Sequence, residues 1–348
     1  HVCIEGETGV GKTTFIKEVL EKQPWCTVFY GIKELAACAR CNNGTVPILF
    51  LDEINAQGRQ FNCLEGLYTG GVVDDAGNYH PTNPHMRVVS CQNPKEYGGE
   101  RREIEFLKRH PNTITFTALP DDYLASKYNL DKVLLQVFKK VPGLTPRELE
   151  MMQLMPDPHY AAYLIARCAL PLSKQKDFTY WFTGRFPLKT PHIDIDLGDF
   201  ELTESRQEIC SLMCDLLSVR KKRKSGGLGA ISLMGLPGDG KSLFAEAICR
   251  AMNLRRVEPH EIGTVDVDAY CKVPAKMNEV DKRKILLTAF HAGQVVIEEE
   301  ANVAKPLESL HNAILMGYDE EGKSAEKDGF FIIRTQNDLT SKGRRPAS

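Results

Sequence analysis

Short apolar runs alternate with helical patterns near the start of the chain. Residues 2–4 form an apolar run, and apolar side chains then recur with helical spacing over residues 15–20. Further apolar runs predict buried strands at 47–51, 86–91 and 113–116. Strands that alternate with helices predict an α/β core, a parallel sheet flanked by helices, which we place at residues 1–118.

The middle of the chain carries helical patterns instead. Apolar residues recur every three to four positions from Leu130 to Phe138, and Thr145-Pro146 predicts the start of another helix. Strand patterns return after a proline-bounded segment at 187–191. We expect residues 119–190 to form a helical lid of the first core, and residues 191–348 to form a second α/β core without a lid.

The turn between the first strand and the first helix matches the P-loop pattern Gly-x₄-Gly-Lys-Thr. Its glycines let backbone N–H groups point at phosphates, and the following helix adds its positive end. We expect Lys12 to contact the β- and γ-phosphates and the Thr13 hydroxyl to bind Mg²⁺. The predicted phosphate-binding residues are Gly6, Glu7, Thr8, Gly9, Val10, Gly11, Lys12, Thr13 and Thr14. The alternative is a glycine-rich turn with no ligand.

The apolar run at 47–51 ends in Asp52-Glu53, the pattern of a Walker B motif. Asp52 is predicted to hold Mg²⁺, and Glu53 to polarise the attacking water, which indicates hydrolysis rather than transfer to a substrate hydroxyl. The next strand leads to Asn93, which can orient the same water if that strand lies between the other two. The alternative for the acidic pair is a strand end that faces solvent.

An arginine after the third strand is a further catalytic candidate. Arg109 ends a short helical run, where its guanidinium could reach the γ-phosphate of a neighbouring module and stabilise the transition state. Arg101 and Arg102 are fallback candidates. An exposed arginine without a catalytic role is the alternative.

The same motifs recur in the same order in the second half of the chain. A second P-loop spans 235–242, the run at 295–297 leads to Glu298-Glu299-Glu300, and the run at 330–333 leads to Asn337. Asn302 matches Asn55 of the first copy. The predicted phosphate-binding residues are Gly235, Pro237, Gly238, Asp239, Gly240, Lys241, Ser242 and Leu243; Ser242 and Glu299 are the predicted metal ligands, and Glu300 and Asn337 the catalytic residues.

The two copies differ at the predicted metal position. Glu299 is one methylene longer than Asp52, and the octahedral coordination of Mg²⁺ tolerates little distortion. We therefore expect the second site to bind nucleotide, and leave open whether it hydrolyses ATP normally or slowly, if at all. The alternative for residues 298–300 is a solvated acidic cluster.

These motifs resemble the AAA+ superfamily, and more narrowly the branch with midasin, dynein heavy chain, MoxR-type ATPases and mysterin, the giant ubiquitin ligase. The resemblance rests on residues 6–13, 51–55, 91–94 and 335–337 and on the Gly-Arg run at 342–345. It implies tandem P-loop AAA+ modules that form a ring with neighbouring modules, with ATP and Mg²⁺ as cofactors. It also implies ATP-driven remodelling of protein assemblies, or motor activity. Arg147 is the nearest candidate for the sensor-2 arginine of that family.

Charge and hydropathy limit the possible partners. The 348 residues include 44 basic and 46 acidic ones, and this near-zero net charge argues against a dedicated nucleic-acid binder. The basic run at 220–224 is interpreted as a solvated loop, with contact to nucleic acid or an acidic partner as the alternative. No apolar run approaches the length of a membrane helix, so we expect no membrane partner.

The eleven cysteines lie mostly in apolar stretches, which predicts buried, reduced thiols in a cytoplasmic or nuclear protein. Cys38-x-x-Cys41 as half of a zinc site is the alternative. The chain begins with His1, directly before a strand-like run, so we expect the sequence to be part of a larger protein.

Two rival functions remain open. The first is a nucleotide-stabilised scaffold in a giant multifunctional protein such as a mysterin-like ubiquitin ligase, with ATP as a structural ligand. The second is a P-loop kinase or signalling NTPase, although the glutamate of the Walker B motif and the repeated asparagines argue against it.

Overall fold

The computed structural model describes residues 1–56, 61–74, 76–94, 103–188, 195–198, 200–223, 229–301, 307–319 and 322–337. Contacts between residues divide the chain into two compact units. The first consists mainly of His1–Pro120, and the second mainly of Asp121–Asp319 with the strand Phe331–Asn337. The first unit thus ends close to the predicted end of the first core.

The first unit contains a five-stranded parallel sheet in the order β2-β3-β6-β1-β7. Its strands are β1 (Val2–Glu5), β2 (Cys26–Tyr30), β3 (Val46–Leu51), β6 (Arg87–Gln92) and β7 (Thr113–Thr115). A separate antiparallel hairpin pairs β4 (Gly71–Val73) with β5 (Tyr79–Pro81). As the interpretation of Asn93 required, β6 lies between the other two motif strands: Ile4 pairs with Cys91, and Leu51 pairs with Ser90. The carboxyl ends of β1, β3 and β6 therefore meet at one edge of the sheet.

Short helical segments cover this sheet. They are α1 (Lys12–Thr14), which continues as a π-helical segment Phe15–Leu20, α2 (Leu35–Arg40), α3 (Glu105–Arg109) and 3₁₀ turns at Ile32–Glu34, Ile54–Ala56 and Asn62–Tyr68. Phe50 packs in one buried cluster with Ile16, whereas the adjacent Leu49 packs in another with Leu35. A strand that is buried on both faces has apolar residues at consecutive positions, which is why the buried strands of this sheet could be recognised from the sequence.

Five helices follow, as the helical patterns of the middle segment predicted. They are α4 (Asp121–Tyr128), α5 (Lys132–Lys140), α6 (Pro146–Leu154), α7 (Pro158–Ala169) and α8 (Leu172–Thr183). Asp131 caps α5 by accepting from the Leu134 N–H group at 2.9 Å. Thr145 and Glu148 form a capping box around Pro146, which confirms the predicted start of that helix.

The second unit contains another five-stranded parallel sheet, in the order β8-β12-β11-β10-β9. Its strands are β8 (Ala230–Gly235), β9 (Arg255–Arg256), β10 (Ala269–Val273), β11 (Val295–Glu298) and β12 (Phe331–Asn337). Its helices are α9 (Glu204–Val219), α10 (Lys241–Ala251), α11 (Glu279–Ala292) and α12 (Glu308–Leu315), with a 3₁₀ turn at Arg220–Lys222. Strand β12 lies between β8 and β11, just as β6 lies between β1 and β3. The order of the three strands that carry the motifs is therefore the same in both sheets.

The helical segment shares a hydrophobic core with the second sheet. Leu164 and Phe182 belong to the same buried cluster as Leu216, Ile248 and Phe331. The Arg167 guanidinium also pairs with the Glu208 carboxylate on α9. The structure therefore groups α4–α8 with the second core, although the sequence suggested that they serve the first. Their role as a lid of the first site stays a prediction.

Within the described part of the chain, no helix combines the length and apolar character needed to cross a lipid bilayer.

Candidate functional site

Glycines shape the first P-loop between β1 and α1. Gly9 and Gly11 have φ angles of 86° and 94°, in the left-handed region that side chains with a Cβ rarely adopt. A Cβ on Gly6 would lie 2.6 Å from the carbonyl oxygen of Phe116. These glycines are therefore required by backbone geometry, and the loop curls closely around the start of α1.

Lys12 ties this loop to the end of β6. Its ammonium donates to the carbonyl oxygens of Gly6 at 2.6 Å and Glu7 at 2.8 Å, and to the Oδ1 atom of Asn93 at 2.7 Å. The lysine is only 9% exposed. A buried ammonium needs such oxygen partners, so the lysine is fixed at the mouth of the loop.

The residues after β3 complete the first site. The Thr13 hydroxyl donates to Asp52 Oδ2 at 3.0 Å, which places the two predicted Mg²⁺ ligands side by side. The Asn93 amide donates to Glu53 Oε1 at 3.4 Å, and the Asn55 amide donates to the Asn93 carbonyl oxygen at 2.9 Å. Asn93 thus bridges the P-loop lysine and the predicted catalytic glutamate.

The second P-loop repeats this arrangement. Gly238 and Gly240 have φ angles of 88° and 71°. The Lys241 ammonium donates to the carbonyl oxygens of Gly235 and Leu236 at 3.1 and 2.7 Å, and to Asn337 Oδ1 at 3.1 Å. The Asn337 amide then donates to Glu300 Oε1 at 3.2 Å. The lysine–asparagine–glutamate sequence of contacts is therefore the same in both units.

Both predicted catalytic glutamates also share an unusual backbone conformation. Glu53 and Glu300 each have a φ angle of 46°. A left-handed residue other than glycine costs about 1–3 kcal/mol and persists only where its surroundings impose it. The Glu53 N–H group donates to Asp52 Oδ1 at 3.0 Å, and that of Glu300 to Thr335 Oγ1 at 3.3 Å. The strained turn holds each carboxylate toward its asparagine.

The two sites differ at the predicted metal position. The Glu299 carboxylate pairs with the Lys272 ammonium at 3.0 Å, and Lys272 also pairs with Glu246 at 2.8 Å. No hydrogen bond joins Ser242 to Glu299 among the residues that the structure describes. Burial works against the ammonium, but the two carboxylates raise the pKa of Lys272. This lysine therefore stays charged beside Glu299.

A buried ionic cluster lies beneath the second site. Glu298, 1% exposed, pairs with Lys282, with Arg334 at 3.0 Å and with His311 at 3.4 Å. Burial opposes ionisation, yet His311, Arg334 and Lys282 lower the pKa of Glu298. Burial, with Arg334 and Lys282, lowers the pKa of His311. Sequence reasoning assigned Glu298 no structural role, and the nearest signal was its position as an acidic residue at the end of an apolar run.

Several candidates from the sequence lie away from this geometry. The Arg109 guanidinium pairs with Glu65 at 3.2 Å and donates to Asn62 at 3.0 Å, so it is held by its own unit. Arg101, Arg102, Asn302 and the Gly-Arg run at 342–345 lie outside the described residues. Thr8, Val10, Thr14, Pro237 and Leu243 lie within or beside the two loops; the loop residue Asp239 accepts from the Leu236 N–H group at 2.7 Å.

The residues of the first site fit a nucleotide with Mg²⁺. The P-loop has two glycines, Gly9 and Gly11, with left-handed backbones that let N–H groups turn toward a phosphate, and it fixes the Lys12 ammonium at its mouth. Thr13 and Asp52 bring one hydroxyl and one carboxylate together, and Mg²⁺ sites need few protein ligands because phosphates and waters supply the rest.

The alternative of a zinc site at Cys38 and Cys41 has no support among the residues that the structure describes. Groups of three or more His, Cys, Asp or Glu side chains that could hold a metal are absent from the described residues. Burial raises the pKa of Cys38 to about 12, which keeps the thiol protonated.

Neither models of known protein families nor curated protein sequences gave a match to this chain. The motifs and the geometry of the two sites are therefore the basis for assigning a function.

Proposed function

We propose that the chain is an ATP-binding and ATP-hydrolysing AAA+ mechanochemical unit that remodels protein assemblies, with a catalytic first site and a nucleotide-binding second site. The observation that carries the proposal is the repeated contact sequence from P-loop lysine to asparagine to glutamate. Two unrelated strand–helix turns would not reproduce these contacts together with the same strained glutamate backbone. The repetition supports one ligand chemistry at both sites.

Each residue of the first site has a role that follows from its contacts. Lys12 neutralises phosphate oxygens at the mouth of the loop, where its ammonium is already held by carbonyl oxygens. Thr13 and Asp52 would hold Mg²⁺, which when bound neutralises charge on the β- and γ-phosphates. Glu53 takes the proton of the attacking water, and Asn93 orients that water beside the carboxylate.

The proposed partners are neighbouring AAA+ modules in a ring, and this part rests on the motif resemblance. Arg109 remains the candidate for a charge-stabilising arginine that reaches a neighbour. Its side chain is about half exposed, but reaching a neighbour requires release from Glu65 and Asn62. Its contribution to hydrolysis would therefore depend on assembly.

The pairing of Glu299 with Lys272 favours a second function for part of the molecule. A carboxylate held by an ammonium is less available to a metal ion, so the second site suits nucleotide that is bound and retained. In this candidate function, ATP at the second site stabilises the second unit as a scaffold, while the first site hydrolyses.

Steady-state ATP hydrolysis by the full chain tests the proposal. Glu53→Gln keeps the size of the side chain but removes its basicity, so we expect turnover to fall by about 10²-fold or more. Glu300→Gln is the matched control and should leave turnover nearly unchanged. Turnover that is unchanged by Glu53→Gln would show that the first site is not the motor, and a chain that binds ATP without turnover would be a scaffold.

A further inference from the structure

The second core has a lysine, Lys272, at a position where the first core has an uncharged residue. Lys272 on β10 pairs in the sheet with Ile297, two residues before Glu299. In the first core the equivalent position is Tyr30, which pairs with Phe50, two residues before Asp52. The Tyr30 hydroxyl donates to Glu21 at 3.1 Å. A lysine beside the metal-position carboxylate is thus specific to the second copy.

Neighbouring charges fix the position of this lysine. Glu246, 4% exposed, accepts from Lys272 at 2.8 Å and from Arg256 at 3.2 Å. Glu246 stands five residues after the P-loop lysine, where the first copy has Lys17. Lys272 is therefore held between two carboxylates, one from the P-loop helix and one from the end of β11.

The lysine and its carboxylate also face open space. Both Lys272 and Glu299 line a cavity of about 220 Å³ at the carboxyl ends of β9, β10 and β11. This is the edge of the sheet at which the P-loop and Asn337 lie. The ammonium therefore contacts the carboxylate at the predicted metal position, on the edge of the sheet from which the second P-loop leaves.

We propose that Lys272 takes over, in the second site, the charge-neutralising role that Mg²⁺ has in the first, so that this site holds a nucleoside triphosphate without requiring Mg²⁺. The proposal rests on the proposed nucleotide binding. In the first site the Thr13 hydroxyl contacts Asp52, and these two residues would hold Mg²⁺. In the second, the Glu299 carboxylate contacts the Lys272 ammonium instead.

Equilibrium binding of ATP labelled on its ribose with a fluorescent methylanthraniloyl group tests this in the full chain. Lys12→Ala isolates the second site, and Lys241→Ala isolates the first. We expect the affinity of the Lys12→Ala chain to change by less than about threefold between excess Mg²⁺ and EDTA, and that of the Lys241→Ala chain to fall by about tenfold or more in EDTA.

Substitution of Lys272 in the Lys12→Ala chain tests the role of the lysine itself. Lys272→Met leaves Glu299 uncompensated, so affinity in EDTA should fall by about tenfold and recover when Mg²⁺ is added. Arg256→Met is the matched control, because Arg256 contacts Glu246 and not Glu299, and it should stay indifferent to Mg²⁺. Lys272→Arg keeps the positive charge, so the ATP affinity of this variant should also be the same with and without Mg²⁺. This variant still tests the role of the charge if Lys272→Met does not fold.

Three results would overturn the proposal. Binding to the second site that requires Mg²⁺ would show that Lys272 does not replace the ion, while leaving nucleotide binding intact. A folded Lys272→Met chain that stays indifferent to Mg²⁺ would remove the lysine from the explanation. A Lys12→Ala chain that binds no labelled ATP in either buffer would overturn nucleotide binding at the second site and, with it, this inference.

Discussion

The first and second P-loop sites use the same contacts to join loop, asparagine and glutamate, but they differ in the partner of the metal-position carboxylate. In the first, Asp52 accepts from the Thr13 hydroxyl. In the second, Glu299 pairs with Lys272, a cation from the neighbouring strand. The two carboxylates therefore differ in their surroundings as well as in length, because β10 carries Lys272 at the position where β2 carries Tyr30.

The same comparison extends below the sites. Leu51 and Ser90 pair across β3 and β6 in the first core, and Glu298 and Arg334 occupy the equivalent register in the second. The second core thus has a buried ion pair between its two motif strands where the first core has a leucine and a serine. Removing one partner of such a pair costs about 3–5 kcal/mol, because it leaves an uncompensated buried charge.

The largest expected difference between the sites concerns the bridging asparagines. Asn93→Ala removes the group between Lys12 and Glu53, so we expect steady-state turnover to fall by about 10–100-fold, because the water and the glutamate lose their alignment. Asn337→Ala removes the same contacts from a site proposed not to turn over, and hydrolysis should change by less than about twofold. Equal losses in both variants would remove the functional distinction between the sites.

Alanine at the first glycine of each P-loop should lower the stability of the first unit more than that of the second. Alanine at Gly6 would meet the backbone oxygen of Phe116 at 2.6 Å, so we expect a loss of about 1–3 kcal/mol in the first unit. Alanine at Gly235 would meet the Asp239 side chain at 2.7 Å, which can rotate away at the cost of one hydrogen bond, about 1 kcal/mol. Urea unfolding measures the free energy of unfolding of each variant.

The two tryptophans allow each unit to be observed separately. Trp25 lies in the first unit and Trp181 in the second. The fluorescence of a Trp181→Phe chain therefore reports the first unit, and that of a Trp25→Phe chain the second. A larger loss of stability from Gly235→Ala than from Gly6→Ala would contradict the steric argument.

Acid should destabilise the second unit more than the first. Burial and neighbouring cations lower the pKa of His311 below 6.5, and the cluster lowers the pKa of Glu298 below 4.5. At acid pH the unfolded chain therefore binds more protons at these groups than the folded chain does. The free energy of unfolding of the second unit should therefore fall as the pH falls. It should fall first below pH 6.5, because of His311, and further below pH 4.5, because of Glu298.

Another group in the second unit opposes this trend. Burial, with the charge of Asp157, raises the pKa of Asp215 to about 6, so this carboxyl stabilises the folded unit as the pH falls. The comparison of urea midpoints by Trp25 and Trp181 fluorescence should therefore be made with Asp215→Asn in both chains. A midpoint in the second unit that does not fall faster than that of the first would contradict the role of the Glu298 cluster.

Much of this architecture could be predicted from the sequence because central strands such as Val46–Leu51 and Val295–Glu298 are almost wholly buried. The strand preceding each P-loop, the Walker B strands and the strands leading to Asn93 and Asn337 read as mainly apolar runs, and the observed sheets contain them. The strand order that places β6 between β1 and β3 was expected from the order of the motifs. Capping residues such as Thr145 also gave a correct helix start.

The contacts that distinguish the two sites could not be predicted in the same way. Lys272 and Glu299 are far apart in sequence and meet only because β10 and β11 are neighbours in the sheet. The alternative for residues 298–300 was a solvated acidic cluster, but Glu298 is buried and contacts Lys282, Arg334 and the His311 ring, which come from three different elements. The packing of α4–α8 on the second sheet likewise depends on tertiary contacts that periodicity does not specify.

The cleavage of ATP already bound to each isolated site tests the central claim most directly. In a single-turnover experiment, radiolabelled ATP is mixed with excess Lys241→Ala chain or excess Lys12→Ala chain, and the phosphate released is measured over time. The account predicts cleavage by the Lys241→Ala chain, and cleavage slower by about 10²-fold or more in the Lys12→Ala chain, which retains its ATP. Comparable cleavage in both chains, or faster cleavage in the Lys12→Ala chain, would contradict it.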